Sequence, residues 1–247
     1  MRIIFLGTNG WFETATGNTL CVLIKTSQCD IVLDAGSGFF RLDKFIDGTK
    51  PVYLLLSHFH MDHISGLHGL SKISCGKGLT IIGQEGTRKV INTLVSRPFT
   101  VPLDRLSYNT EIIELPAEQR QIPFYLQHLP MLHSDPCLGY RITAEGKTIA
   151  FCTDTGYCEN TVTLAKEADL LITECAFKPG ESNPEWPHLN PETAAKIAVE
   201  SGAKRLALAH FDAARYLTMD ERTEAEKTAR KIFPASFAAS DLMELEI

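Results

Sequence analysis

The amino-acid sequence predicts an α/β protein in which two mixed β-sheets pack together and helices cover their outer faces. Short apolar segments rich in β-branched residues alternate along the chain with longer segments of helical periodicity. No internal repeat or low-complexity linker interrupts this order, so we expect a single domain over 1–247. The hydrophobic fraction of 44% and the charged fraction of 22% are ordinary for a globular protein and argue against disorder.

The predicted strands are short segments of β-branched and aliphatic residues that end at glycine, proline or polar residues. We expect strands at 2–6, 20–26, 30–34, 52–56, 79–82, 111–115, 123–130, 137–144, 147–152, 169–173, 204–209 and 242–246. The segment VYLLL at 52–56 is apolar at every position. It therefore predicts a strand that is buried on both faces of its sheet.

The predicted helices lie between these strands and show apolar residues at helical spacing. We expect helices at 38–47, 63–70, 85–95, 159–167, 191–201 and 219–232. The helix at 191–201 has the clearest start, because Asn190 is a good N-cap and Pro191 suits the first turn. Prolines mark the segments 96–110 and 176–191 as loops.

Charge, cysteine content and the N-terminus limit the class of protein. A net charge of −6 gives no support to a protein that grips long nucleic acids through their phosphates. The opening sequence MRIIFLGTNGW is typical of a first strand and not of a signal peptide. No stretch approaches the roughly 18 apolar residues that a membrane span needs. Scattered cysteines without a CxxC pair predict reduced thiols and a cytoplasmic location.

A dense cluster of metal-binding residue types follows an apolar strand. The segment SHFHMDHISGLHGL at 57–70 contains His58, His60, Asp62 and His63. Imidazole and carboxylate groups are ligands that zinc prefers. One metal cannot easily use all four side chains with good geometry, whereas two adjacent metals can. A polar loop with chance histidines is the alternative, and it explains this order of residues poorly.

Three further candidate ligands lie in the second half of the chain. They are His133 in LPMLHSDPCLGY, Asp154 in IAFCTDTGY and His210 in LALAHFD. Taken singly, each has an ordinary alternative: a surface-loop histidine, a turn carboxylate and a core histidine, respectively. Asp154 and His210 follow apolar strands, as a site at one edge of a sheet requires. Together with the first cluster, the three residues therefore indicate one site.

The order His-x-His-x-Asp-His, His, Asp, His resembles the metallo-β-lactamase superfamily, and more narrowly the ribonuclease Z family, which trims the 3′ end of precursor tRNA. The resemblance covers most of the chain. It is carried by FLGTNG, LDAGSG, SHFHMDHISGL, HSDPCLGYRI, FCTDTGYCE, ADLLITECAF and LALAHFDAARY. It implies an αβ/βα four-layer sandwich with the site at one edge of the two sheets.

The resemblance also implies how two divalent metals would be held. One metal would be bound by His58, His60 and His133, the other by Asp62, His63 and His210, and Asp154 would bridge them. A histidine rather than a glutamate at position 60 is similar to the zinc hydrolases and not to the di-iron, oxygen-reducing branch. Zinc is therefore expected, although manganese and iron suit the same ligands.

The resemblance further implies catalytic roles. Two metals about 3.5–4 Å apart can activate a bridging water, and Asp62 is a candidate to accept its proton. Glu174 and His188 match the residues that assist the leaving alkoxide in ribonuclease Z. The alternatives are a buried partner of a strand-end donor for Glu174 and a surface histidine beside a helix for His188.

We therefore expect a metal-dependent phosphodiesterase similar to ribonuclease Z. The chain has no long glycine- and proline-rich arm of the kind that grips tRNA in that family. A small phosphodiester is thus favoured over tRNA, and other RNA stays open. An acyl hydrolase, such as a lactonase or thioesterase, is the second hypothesis. A binding module with a vestigial site ranks last, because no ligand is missing. Dimers are common in the resembled families, so by analogy this chain could also form a homodimer.

Overall fold

The computed structural model describes residues 1–118 and 121–247, and most of its strands belong to two β-sheets. The strands are β1 (Arg2–Gly7), β2 (Asn9–Gly10), β3 (Cys21–Lys25), β4 (Asp30–Leu33), β5 (Val52–Leu55), β6 (Leu79–Gln84), β7 (Thr110–Leu115), β8 (Tyr125–Pro130), β9 (Leu138–Ala144), β10 (Lys147–Cys152), β11 (Leu170–Glu174), β12 (Leu206–Ala209), β13 (Phe211–Asp212), β14 (Ser236–Ala238) and β15 (Glu244–Glu246).

The helices lie between the strands. They are α1 (Met61–Ile64), α2 (Thr87–Leu94), α3 (Glu159–Ala165), α4 (Pro191–Ser201) and α5 (Met219–Arg230), with 3₁₀ helices at Ser37–Lys44, Ser65–Lys72 and Leu103–Arg105. The start of α4 is as predicted, because the Asn190 side chain accepts a hydrogen bond from the Thr193 backbone N–H. None of the helices in the described ranges has the length and apolar character needed to cross a membrane.

Both sheets are mixed, as the sequence predicts. The first has seven strands in the order β15-β1-β3-β4-β5-β6-β7, and β4 to β7 run parallel to one another. The second has six strands in the order β14-β12-β11-β10-β9-β8, and β8, β9 and β10 pair antiparallel. In addition, β13 and β2 form a small parallel pair.

The core is arranged in layers. In β1, Ile3 and Phe5 point to the interface between the sheets, whereas Ile4 and Leu6 point to the opposite face and pack among helical residues. A third cluster joins the outer face of the second sheet to α3, α4 and α5. Both faces of each sheet are therefore covered, which explains the continuous apolar runs in the sequence. The predicted αβ/βα four-layer sandwich is confirmed.

Two of the predicted helices are present, but they are mostly not α-helices. The segments predicted at 38–47 and 63–70 consist largely of 3₁₀ helix, and glycines let these segments approach the backbone closely. A Cβ atom on Gly66 would lie 2.3 Å from the Gly36 carbonyl oxygen. The Gly66 N–H donates to the Ala35 carbonyl, and the Ala35 N–H donates to the His63 carbonyl, both at 2.8 Å. This close packing holds His63 against the end of β4.

Candidate metal centre

The predicted ligands lie where strands of the two sheets end. The segment from His58 to His63 follows β5, and His133 lies in the loop after β8. Asp154 follows β10, and His210 comes directly after β12. Both sheets therefore contribute side chains to one edge of the sandwich, as the sequence predicts.

The structure brings all of these side chains into three overlapping groups, within each of which one ligand atom per residue lies within 4.8 Å of the others. The groups are His58, His60 and His133; His58, His63 and Asp154; and Asp62, His63 and His210. The first and last groups are the two ligand sets that the resemblance implies. Asp154 lies between one histidine from each set, which suits a bridging carboxylate.

A buried nitrogen atom without a hydrogen-bond partner indicates that this cluster fits a divalent cation. The Nε2 atom of His58 is buried and has no hydrogen-bond partner among the described residues. The His58 ring instead faces His60, His63 and His133 at centroid distances of 4.5, 4.2 and 4.9 Å. Burial and the neighbouring His63 lower the pKa of His58 to about 2, so its imidazole is the neutral form that binds metals.

Asp34 and Ser57 orient two of the predicted ligands. Asp34 accepts hydrogen bonds from the Ser57 N–H at 2.7 Å and the Ser57 hydroxyl at 2.8 Å, and from His63 Nδ1 at 2.8 Å. Since the Ser57 hydroxyl donates to Asp34, it accepts from His58 Nδ1 at 3.0 Å. The Nε2 atoms of both histidines are thereby left as acceptors toward the cluster.

Asp135 orients His60 and His133 in a similar way, but at the surface. Its carboxylate accepts from His60 Nε2 at 2.9 Å, which leaves the Nδ1 atom of His60 free for a metal. Its backbone carbonyl lies 3.3 Å from His133 Nδ1, so Nε2 is the free nitrogen of His133. The Asp135 side chain is 62% exposed, unlike the fully buried Asp34.

The cluster carries an excess of acidic groups, which attracts positive charge. Burial alone would raise the pKa of Asp62, but His63 and His210 hold it well below its usual range. His210 and His63 likewise outweigh the effect of burial and lower the pKa of Asp154. His63 is also fully buried, yet Asp62, Asp154 and Asp34 raise its pKa. A divalent cation bound among these buried carboxylates would compensate their negative charge.

Several site residues have left-handed backbone conformations. Asp34, Asp154 and His210 have φ angles of 56°, 51° and 46°, and these residue types adopt such angles more readily than most. Trp11 also lies in this region, at a φ of 75°, which is unusual for a bulky residue. Strained backbone of this kind is typical of functional sites.

Glu174 and His188 form the pair that the sequence predicts beside the cluster. Glu174, at the end of β11, is fully buried, and its two oxygens lie 2.8 and 2.9 Å from His188 Nδ1. Glu174 also accepts the backbone N–H groups of Thr155 and Leu189. Burial lowers the pKa of His188, but Glu174 outweighs it and raises that pKa. The His188 ring lies 5.7 Å from the His133 ring, between centroids.

A cleft of about 760 Å³ opens over the cluster. Its walls include Trp11, Met61 and Trp186 together with five of the predicted ligands, namely His60, Asp62, His133, Asp154 and His210. The Trp11 backbone N–H donates to Asp62 Oδ2 at 2.7 Å, so this loop is tied to a predicted ligand. The cleft has the size of small-molecule sites in general.

The sequence interpretation missed Asp34, Ser57, Asp135 and Trp11. Asp34 had a usable signal, since a carboxylate directly after an apolar strand, in LDAGSG, occupies the same kind of position as Asp154 in FCTDTG. Asp135 lies two residues after His133 but looks like an ordinary loop residue. Trp11 gave no signal, because nothing in its local sequence places it beside Asp62.

Comparison with known proteins agrees with this geometry. A family model described as a Beta-lactamase superfamily domain matches residues 30–211. A ribonuclease Z of Prochlorococcus marinus (strain MIT 9301) is 26% identical, and the alignment covers 100% of this chain and 100% of that protein. The probable metallo-hydrolase YhfI of Bacillus subtilis (strain 168) is 27% identical over 85% of this chain and 87% of its own. The crystal structure of the short form of human tRNase Z has a TM-score of 0.78 and 23% identity, covering 100% of this chain and 99% of that one.

Proposed function

The chain belongs to the beta-lactamase superfamily, and from this membership we propose that it is a phosphodiesterase that uses two divalent metal ions, zinc being the expected ion. The family match confirms the superfamily resemblance inferred from the motifs, and relatives named ribonuclease Z confirm the narrower resemblance. The observation that carries the phosphodiesterase proposal is the buried Glu174–His188 pair beside the predicted ligands.

The predicted ligands would hold the two ions in the sets described above, with Asp154 between them. The chemistry that such a pair of ions supplies is a water of lowered pKa and a polarised phosphoryl oxygen. Asp34 and Ser57 keep the imidazoles of His58 and His63 in the tautomers that can bind. The role of Asp62 as a proton acceptor stays a prediction; its low pKa suits a metal ligand better than a base.

His188 is the group that we assign to the leaving oxygen. Its Nδ1 atom donates to Glu174, so Nε2 is the nitrogen available to the cleft, which His188 lines. Because Glu174 raises the pKa of His188, the ring can carry a second proton and donate it to the departing alkoxide. A phosphodiester with a poor leaving group needs this proton more than an activated ester does.

The test uses His188→Ala and a series of phosphodiesters whose leaving groups differ in pKa. The variant should keep both metals, because removal of the His188 side chain leaves both predicted ligand sets complete. Its kcat/KM should fall by about 100- to 10,000-fold for alkoxide leaving groups and only slightly for p-nitrophenolate. His128→Ala, which removes a half-buried histidine of β8 outside the ligand groups, should show no such trend.

A uniform loss across the series would remove His188 from the leaving-group role. Parallel assays with lactones and thioesters would then decide whether the acyl-hydrolase hypothesis replaces the phosphodiesterase proposal. We also propose a cytoplasmic location for the protein, which its seven free cysteines support.

A further inference from the structure

The two tryptophans of the chain lie on different sides of the predicted metal ligands. Trp186 adjoins His188, with 4.1 Å between ring centroids, and His188 in turn faces His133. Trp11 adjoins the other ligand set through the hydrogen bond from its backbone N–H to Asp62 Oδ2. The cleft therefore has an indole side chain beside each of the two predicted ligand sets.

The ring of Trp186 is already engaged, whereas that of Trp11 is free. Trp186 packs edge-on against Phe177 at 5.1 Å, and the Arg215 guanidinium lies 5.6 Å from its ring centroid. Within the described part of the chain, the Trp11 ring has no aromatic or cationic partner, and the residue is 66% exposed. Its backbone is nevertheless fixed in a strained conformation by Asp62. A large exposed indole whose backbone is anchored beside a predicted metal ligand is suited to bind a ligand.

The charges of the cleft limit the substrate to few phosphates. Among the described residues that line it, none is lysine or arginine, and three are aspartates: Asp62, Asp154 and Asp212. Arg215, near Trp186, is paired with Glu181 at 2.7 Å and with Asp212 at 3.1 Å. Apart from a protonated His188, positive charge in the cleft would therefore come from the metal ions. A polynucleotide, which needs basic partners for successive phosphates, would find none on these walls.

We propose that the cleft takes a compact, singly charged phosphodiester that carries one planar aromatic group, such as a nucleobase, and that Trp11 stacks on this group. The inference rests on the proposed function and specifies its substrate class. Stacking of a base on an aromatic side chain is typically worth a factor of roughly 5 to 100 in binding. Trp11 is thus a specificity-determining residue and not a catalytic one.

The first experiment compares two diesters with the same leaving group, methyl p-nitrophenyl phosphate and the p-nitrophenyl ester of thymidine 5′-phosphate. Since the leaving group is constant, only the second substituent differs between the two substrates. Zinc-loaded wild type should prefer the thymidine ester by roughly 5- to 100-fold in kcat/KM, mainly through KM. Trp11→Ala should reduce this preference toward one, and Trp11→Phe should keep part of it.

Phe99→Ala is the matched control, because Phe99 is also 66% exposed but does not line the cleft. It should leave the preference for the thymidine ester unchanged. If both esters are cleaved but Trp11→Ala keeps the full preference, the stacking inference is wrong while the proposed function stands. If the zinc-loaded chain cleaves no phosphodiester, both the proposed function and this inference fail.

A second experiment needs no turnover. In a Trp186→Phe variant, Trp11 is the sole tryptophan, so fluorescence excited beyond the absorption band of tyrosine reports on its ring alone. Thymidine 5′-phosphate should quench this emission at concentrations where methyl phosphate does not, and equal effects would contradict stacking.

Cleavage of oligonucleotides should also not improve with length. A rate that rises with length and falls steeply with salt would overturn the compact-substrate inference.

Discussion

Asp34 acts on two predicted ligands from outside the ligand sets. Its carboxylate accepts the His63 Nδ1–H directly and reaches His58 through the Ser57 hydroxyl. Side chains that hold the outer nitrogen of a metal-binding histidine fix its tautomer and orientation. Because Asp34 is fully buried, water cannot take over this function if the carboxylate is lost.

Asp34→Asn should therefore weaken metal binding by about 10- to 100-fold. Asparagine tolerates the left-handed backbone conformation that Asp34 adopts, so the substitution tests the carboxylate and not the backbone. The set that contains His63 should lose its ion at a lower chelator concentration than the set that contains His60. Metal content after dialysis against graded chelator measures this difference.

Asp135→Asn is the comparison for this prediction. Asp135 holds His60 in the same way, but its side chain is 62% exposed and water can replace it. Its substitution should cost less affinity than that of Asp34. Equal metal retention by wild type and Asp34→Asn would show that Asp34 has no orienting role.

At the scale of residues, the sequence predicts direct ligands better than the side chains that support them. His58, His60, Asp62 and His63 form a local pattern whose chemistry is specific, and the structure brings them together with the three distant candidates. Asp34 has a local signal in LDAGSG, but its role as a partner of His63 rests on a contact across 29 positions of the chain. No local pattern encodes such a contact.

Among the elements, the short pair of β2 and β13 lies directly beside the site. β2 is followed directly by Trp11, and β13 directly follows His210. Gly10, the last residue of β2, lies against the His210 ring, where an added Cβ would be 2.4 Å from Cε1. Arg222 of α5 supports the pair from within the core, through hydrogen bonds to Thr8 and Asn9 and a position over Phe211.

Gly10→Ala should displace His210 and release metal from its set. The added methyl group would also lie 2.8 Å from His210 Nε2, the atom that faces Asp62 and Asp154. We expect reduced metal content together with a loss of about 1–3 kcal/mol in the free energy of unfolding of the metal-free protein. Elemental analysis and denaturant unfolding measure the two effects.

Gly69→Ala provides the control for this clash. There the new Cβ would lie 2.6 Å from Cε1 of Phe40, a half-buried side chain that can turn away. Metal content should stay at the wild-type level. If Gly10→Ala also binds a full complement of metal, close packing of Gly10 does not position His210.

Longer elements follow from local pattern, whereas the shortest ones do not. The central strands and α2 to α5 lie close to their predicted positions, because each has a clear apolar periodicity. The strands β2, β13 and β14 have two or three residues each and were not predicted. The 3₁₀ segments Ser37–Lys44 and Ser65–Lys72 contain glycines that pack closely against other backbone, and local periodicity does not encode such tertiary contacts.

At the scale of the whole molecule, the predicted metal centre would join the two sheets at one edge. His58 to His63 follow a strand of the first sheet, whereas Asp154 and His210 follow strands of the second. Away from this edge, the apolar core between the sheets holds them together. Metal binding should therefore stabilise the fold but not be required for it.

Two bound ions per chain should raise the melting temperature of the protein. At free concentrations about 100 times Kd, each ion contributes about 2.7 kcal/mol of stability, and two contribute about 5 kcal/mol. For a chain of this size, such a gain corresponds to a shift of roughly 10–20 °C. Elemental analysis gives the stoichiometry, and calorimetry with and without chelator gives the shift.

Asp154→Ala removes the carboxylate between the two sets, so its melting temperature should respond little to chelator. A wild-type protein that contains two ions and melts at the same temperature without them would show that the metals do not join the sheets.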